Sequence, residues 1–194
     1  MATKRLLAIK GGPRPDGITA KMLQIAVQAA KAAGWETDFC DLYEVDITAC
    51  KGCPECRATG VCPPGGELAE LWERLASSDL VILSAPTYYA NVPGQVKLLF
   101  DRLAGKAMDR SGAGLAPKPT LSSRQQYLLM TACNTPFPLN RMLRQSSACL
   151  AAMNEFFRIS GMTRKGQVVC AGAKKLTEVP ARLASRIESF FLVR

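Results

Sequence analysis

Histidine is absent from the 194 residues. That gap removes Ser-His and Cys-His nucleophile pairs, imidazole-ligated zinc and any imidazole general base. Long apolar runs are missing too. The strongest, Leu80 to Ala85 (LVILSA), falls far short of the about 20 residues a membrane span needs. The opening MATKRLLAIKGG joins a basic flank to an apolar stretch that is too short and stops at Gly11-Gly12. No export signal is expected from it, and the reading is cytoplasmic. Repeats and low-complexity linkers are lacking. Acidic residues are in deficit, 16 Asp plus Glu against 25 Lys plus Arg. The basic residues are scattered, however, and nowhere reach the density of a nucleic-acid-binding arm. Neither nucleic acid nor membrane is therefore expected as a partner, and the surplus charge suits a solvated basic surface that attracts phosphorylated small molecules.

Hydrophobic residues make up 48% and charged residues 21%, as in ordinary globular chains. The length fits one domain over residues 1–194. Eight cysteines without an export signal point to metal or redox use rather than structural disulfides. Four of them, Cys40, Cys133, Cys149 and Cys170, lie in apolar stretches and read as small core residues. The other four crowd into residues 50–62.

Apolar runs and helical stripes alternate along the chain. Strands are expected at Arg5–Lys10, Glu36–Leu42, Leu80–Ser84, Gln126–Ala132 and Gln167–Ala171. Helices are expected from Thr19 to Gly34, around Leu68–Leu75, over Pro93–Leu103, over Leu139–Ser160 and over Glu178–Val193. Such alternation predicts an α/β fold: a doubly wound, five-stranded parallel sheet in a three-layer sandwich. The favoured order is 2-1-3-4-5, the flavodoxin-like arrangement. The stretch from Gly105 to Arg124, rich in Gly, Pro and Ser, breaks the pattern and reads as a long functional or mobile connection.

In such a sheet, ligands bind beyond the carboxyl ends of the strands. The first loop there reads Gly11-Gly12-Pro13-Arg14-Pro15-Asp16-Gly17-Ile18-Thr19 and opens into a helix. Its glycines let backbone N–H groups curl around an oxyanion, and the helix start adds positive partial charge. Thr19 can cap the helix and donate to a phosphate, while Arg14 brings a full charge. No Gly-Lys-Ser/Thr closes the loop and the G-x-G-x-x-G spacing is missing, so it is neither a Walker loop nor a dinucleotide fingerprint. An ordinary Gly/Pro turn is the plain alternative. The third-strand loop reads Ala85-Pro86-Thr87-Tyr88-Tyr89-Ala90-Asn91-Val92-Pro93-Gly94. Its paired tyrosines offer a flat wall with polar tips, and the Asn91 amide can bond the rim of a heteroaromatic ring. Tyrosines that merely pack at an interface are the alternative.

The first loop resembles the G-S-P-R-x-x-G-N-T phosphate loop of the NADPH-dependent FMN reductase-like flavoproteins. The third, from Pro86-Thr87-Tyr88 to Lys97 and Asp101-Arg102, resembles their P-x-Y…K-x-x-x-D-R segment. The resemblance covers roughly the first 105 residues. It implies a flavodoxin-like fold, bound FMN, and electron transfer from NAD(P)H or another donor. Carried over, Gly11, Gly12, Pro13, Arg14, Gly17, Ile18 and Thr19 hold the phosphate. Pro86, Thr87, Tyr88, Tyr89, Asn91 and Val92 line the isoalloxazine, and Thr131, Ala132 and Asn134 approach its other edge by fold order. Gly12 stands where the family usually has serine and Ile18 where it has asparagine, and Arg14 is placed to compensate.

Cys50-x-x-Cys53-x-x-Cys56-x5-Cys62-Pro63 is the sharpest motif. Tight C-x-x-C-x-x-C spacing lets three thiolates face one inorganic cube, with Gly52 and Gly60 easing the backbone around it and Cys62 completing the set. Zinc is the competing metal, although pairs sharing a middle cysteine crowd a tetrahedral site. Metal-free thiols or a redox disulfide are the third reading. An FMN domain interrupted after its second strand by such a motif resembles the iron–sulfur flavoproteins, a branch of the same group. That resemblance makes Cys50, Cys53, Cys56 and Cys62 ligands of a 4Fe-4S cluster and implies a homodimer or homotetramer. Pro64-Gly65-Gly66 replaces the acidic pair that often follows the last cysteine. The function expected is an FMN-dependent electron-transfer oxidoreductase, linked to NAD(P)H, a ferredoxin-type carrier or another small molecule as donor or acceptor. No side chain is assigned as acid or base. An NAD(P)H-dependent FMN or quinone reductase without a cluster and a non-catalytic redox-sensing module are the alternatives.

Overall fold

The computed structural model describes residues 3–59, 62, 66–109 and 118–192. Leu6, Leu7, Ala8 and Ile9 are closed off from solvent on both faces of β1 (Arg5–Lys10), as a continuous apolar run demands in a central parallel strand. The chain continues through α1 (Ile18–Ala32), β2 (Glu36–Asp41), the short α2 (Glu55–Thr59), α3 (Glu67–Ala76), β3 (Leu80–Pro86) and α4 (Gly94–Ala107). Next come β4 (Met108–Asp109) and β5 (Lys118–Pro119), then β6 (Gln126–Cys133), α5 (Leu139–Met142), α6 (Gln145–Ile159), β7 (Thr163–Ala171) and α7 (Ala181–Glu188). A 3-10 turn, Ala173–Lys175, joins the last two.

Five strands pair in parallel in the order β2-β1-β3-β6-β7, which is the expected 2-1-3-4-5 once β4 and β5, a separate antiparallel pair, are set aside. Side chains alternate between two cores. Leu7, Ile9, Val81, Leu83 and Leu129 face α3, α4 and α6, whereas Leu6, Ala8, Leu80, Ile82, Leu128 and Met130 face α1 and α7. On the first side, Phe100 stacks on Phe156 and Tyr127 on Phe157, with centroids 4.5 and 4.9 Å apart. Edge strand β2 carries three acids, each answered by a cation: Glu36 by Arg5, Asp38 by Arg74 and Asp41 by the buried Lys10 at 2.5 Å. Edge strand β7 carries Arg164 and Lys165. No helix among the described residues is long and apolar enough to cross a membrane.

The expected helix Leu139–Ser160 is two helices, because Arg144 adopts φ +54° and breaks it without a glycine or proline to signal the break. The terminal helix begins at Ala181 rather than Glu178, after Pro180, whose fixed φ suits a helix entry and not an interior. It ends at Glu188, and Val193 lies outside the described residues. The fifth strand starts at Thr163, four residues early; its polar opening TRKG offers no apolar cue. Within the expected Gly105–Arg124 connection, α4 runs on to Ala107 and β4 and β5 pair, while residues 110–117 lie outside the description.

Candidate functional site

At the carboxyl ends of β1, β3, β6 and β7 lies a cavity of about 470 Å³. Its first wall is the turn between β1 and α1, where Gly12, Pro13, Arg14, Gly17, Ile18 and Thr19 all line it. The helix enters through extended Gly17 (φ −65°, ψ 156°), no side chain caps it, and its first turn holds no acid. First-turn N–H groups have no intrahelical acceptor, so this end presents bare donors and the positive pole of the helix dipole. Thr19 does not cap, contrary to expectation; it is the second helical residue, buried, and its carbonyl accepts the Ser84 hydroxyl at 2.8 Å. Gly12 presses on the opposite loop: a Cβ there would lie 2.8 Å from Pro86 Cδ, which leaves no room for a serine. Gly11 stands behind the wall, its N–H bonded to the Ser84 carbonyl at 2.8 Å and its α-carbon facing Val96.

The second wall is Pro86, Thr87 and Tyr88 at the end of β3. Thr87 N–H donates to the Ala132 carbonyl at 2.9 Å, and its hydroxyl shares a 3.0 Å hydrogen bond with that of fully buried Thr131. Thr131 thus braces the wall without reaching the cavity. Tyr88 and Asn91 exchange two backbone bonds of 2.9 Å, closing a two-residue hairpin with Tyr89 at φ +50° and Ala90 at φ +59°. That turn throws Tyr89 wholly into solvent. The Asn91 amide oxygen accepts the Val92 N–H at 2.8 Å, and Val92 is buried in the core, so Tyr89, Asn91 and Val92 do not line the cavity. Nearby Tyr43 has its phenol pushed above the ordinary range by burial, with the Tyr88 phenol and Asp41 adding to the shift.

Ala132 and Asn134 line the third wall with Cys133 between them. Burial raises the Cys133 thiol, which stays protonated and donates to the Thr135 carbonyl at 3.4 Å. Sequence reasoning missed Cys133, Asp16, Lys21 and the segment Ala173 to Thr177 after β7. Lys21 lies one helical turn beyond Gly17 and could have been found by spacing. Its ammonium bonds the Thr177 carbonyl at 2.6 Å and Glu178 at 2.5 Å, tying the last loop to α1, a contact between residues far apart in sequence.

Cys40, Cys133, Cys149 and Cys170 are buried thiols, as expected. The other four are not gathered. Cys50, Cys53 and Cys56 line a hollow of about 160 Å³ against Asp101, Ala104 and Gly105 of α4. A Cβ on Gly105 would sit 2.8 Å from that of Cys56, so the cysteine segment rests directly on the helix. Cys62 is held elsewhere: its sulfur accepts Arg102 Nε at 3.0 Å, and the same buried guanidinium bonds the Thr48 carbonyl at 2.8 Å. A hydrogen bond with Glu55 pushes the Cys53 thiol up. Among the described residues no three Cys, Asp or Glu are grouped as metal ligands. Gly60, Pro63, Pro64 and Gly65 lie outside the description.

Residues 4–136 match the family described as NADPH-dependent FMN reductase. An iron–sulfur flavoprotein of Methanocaldococcus jannaschii is 34% identical over 98 residues, 50% of this chain and 51% of the relative. One from Methanosarcina thermophila gives the same figures. The chain spans about half the length of the curated relatives it matches. Among solved structures, an NAD(P)H:quinone oxidoreductase from Methanothermobacter marburgensis superposes with a TM-score of 0.73 at 14% identity, over 98% of this chain and 96% of that one. An FMN-dependent NADH-azoreductase from Bacillus anthracis, in complex with FMN, gives 0.71 at 14% identity over 97% and 96%. At such identities the likeness is one of fold, which is flavodoxin-like.

Proposed function

The chain belongs to the NADPH-dependent FMN reductase family, and from that membership we propose that it binds FMN in the 470 Å³ cavity and oxidises NAD(P)H there. The observation that carries the reading is an uncapped, acid-free helix start facing a cavity whose opposite wall is a braced tyrosine loop. A phosphate monoester needs the first and a planar ring the second, so the residues present fit the cofactor. Bound FMN supplies the hydride-accepting chemistry. The first-turn N–H groups and Arg14 hold the phosphate. The Thr87–Thr131 bond keeps the Pro86–Tyr88 wall in place, and Tyr88 presents its ring to the cavity. Protonated Cys133 contributes neither a nucleophile nor a base. No side chain needs to move a proton for hydride to transfer.

Titration of the apoprotein with FMN, followed by flavin fluorescence, tests this. Arg14→Ala is expected to weaken binding about tenfold, the loss of one exposed charge-assisted hydrogen bond (~1.5 kcal/mol). Loaded protein should oxidise NAD(P)H with ferricyanide as acceptor. Failure to take up FMN overturns the reading.

A 4Fe-4S cluster on the cysteine segment is a second reading, supported by the motif spacing and by the presence of Cys50, Cys53 and Cys56 in one hollow. As arranged, the four sulfurs do not form a ligand set, and Cys62 would have to leave Arg102 to join one. No catalytic step is therefore routed through it. Iron and labile sulfide counted per chain in protein prepared without oxygen decide it, with Cys53→Ser expected to abolish iron and spare FMN.

A further inference from the structure

Beyond the Asn134 wall of the cavity, the chain turns outward into an apolar and cationic rim. Phe137, Leu139, Met142 and Leu143 expose 70%, 47%, 73% and 60% of their surface. Exposed apolar residues are ordinary when single, but four within one short segment form a contiguous patch of the kind that marks an interaction site. The segment is held in this attitude. Asn140 N–H donates to the Pro136 carbonyl at 2.9 Å, and its buried amide donates to Ser146 Oγ at 2.9 Å. Arg141 and Arg144 stand among the apolar side chains. Gly172 N–H bonds the Thr135 carbonyl at 3.0 Å, which seats Lys174 and Lys175 beside the same segment, and Arg14 lies across the cavity. Among the described residues none of these five cations enters an ion pair. From Arg110 to Asn154 the sequence contains no Asp or Glu at all.

We infer that this rim, centred on Phe137–Leu143 and ringed by Arg141, Arg144, Lys174 and Lys175, is the docking surface for an acidic one-electron carrier protein. Phe, Met and Arg are the residue types enriched in protein interfaces. A small apolar centre in a field of one sign suits a brief encounter that is steered by charge, and redox encounters occupy the small end of interface sizes. The site also lies where the cavity opens, beside the ring that the FMN reading places there. A bilayer is the poorer occupant, because the four-residue α5 provides no extended amphipathic helix to lie in an interface. The inference rests on the FMN reading for its chemistry. One NAD(P)H and two oxidised carriers yield NAD(P)⁺, one proton released to water and two reduced carriers.

Oxidised rubredoxin, a small acidic iron protein, serves as probe with the FMN-loaded chain and NAD(P)H. The double substitution Arg141→Glu/Arg144→Glu is expected to lower kcat/KM for rubredoxin at least about tenfold and to flatten its salt dependence. Turnover of ferricyanide should stay within about twofold, as a small acceptor needs no docking surface. Met142→Ser/Leu143→Ser should weaken rubredoxin binding without changing the salt slope, and Lys31→Glu at the far end of α1 should change neither. Rubredoxin turnover indifferent to the double reversal overturns the inference. So does wild-type protein that sediments with anionic phosphatidylglycerol vesicles and ignores rubredoxin, or an oligomer that these substitutions split into monomers, which would assign the face to a second copy. Lack of FMN uptake and of ferricyanide turnover would instead sink the FMN reading alone, and co-sedimentation of rubredoxin with the chain still decides the docking.

Discussion

Tyr89 and Ala90 both hold positive φ, at +50° and +59°, in a turn where glycine or asparagine is the usual solution. Tyr89 is fully exposed, so its side chain offers no packing that would offset the strain. Tyr89→Gly is expected to raise stability by about 1 kcal/mol, read as a higher urea midpoint at unchanged slope. The same turn explains what could be read at this scale and what could not. Pro86, Thr87 and Tyr88 continue β3, and their place on the cavity follows from strand direction. Tyr89 stands next to them in sequence, but a two-residue hairpin without an Asn-Gly signature turns it away. Asn91 spends its amide oxygen on Val92, and Thr131 points behind the wall, because hydrogen bonding across strands decides both.

Elements carry their own constraints. β1 and β2 are joined at their carboxyl ends by Lys10 and Asp41, which are largely withdrawn from water and 2.5 Å apart. Removing one member of such a pair strands the other charge. Asp41→Asn should cost about 3 kcal/mol in chemical denaturation, whereas Lys10→Met/Asp41→Leu should recover most of the loss. The boundaries of β1 and β3 could be read closely from apolar runs that both cores demand. α6 could not, since its start is set by an arginine in a left-handed conformation that no propensity announces. β7 hid its first four residues because an edge strand can carry Thr163, Arg164 and Lys165 outward. The cysteine motif announced itself by spacing, yet the arm bearing Cys62 is placed by Arg102, forty residues on.

For the whole molecule, alternation of strand and helix was enough to give the sheet order, and with it the rim where the site lies. The loop after β7 joined the site through Lys21, a tertiary contact without a local signature. Four buried thiols set the alkaline limit of the fold. Burial raises all four, Cys40 most clearly, from 9.0 to about 11 despite the nearby Arg74. The unfolded chain loses these protons first, so their contribution is whole below pH 9.0 and is lost as pH rises through about 11. For Cys40 that is about 2–3 kcal/mol. Urea midpoints followed across this window should fall, and Cys40→Ala should make the decline shallower.

The two borders of the sheet are of opposite character, three carboxylates on β2 and two cations on β7. Copies laid side by side would have reason to zip, border to border, into an open-ended ribbon. Arg5, Arg74 and Lys10 of the same chain already neutralise those carboxylates. A neighbour's basic border therefore meets a surface with nothing left to attract it, and polymerisation by this route is blocked from within each molecule.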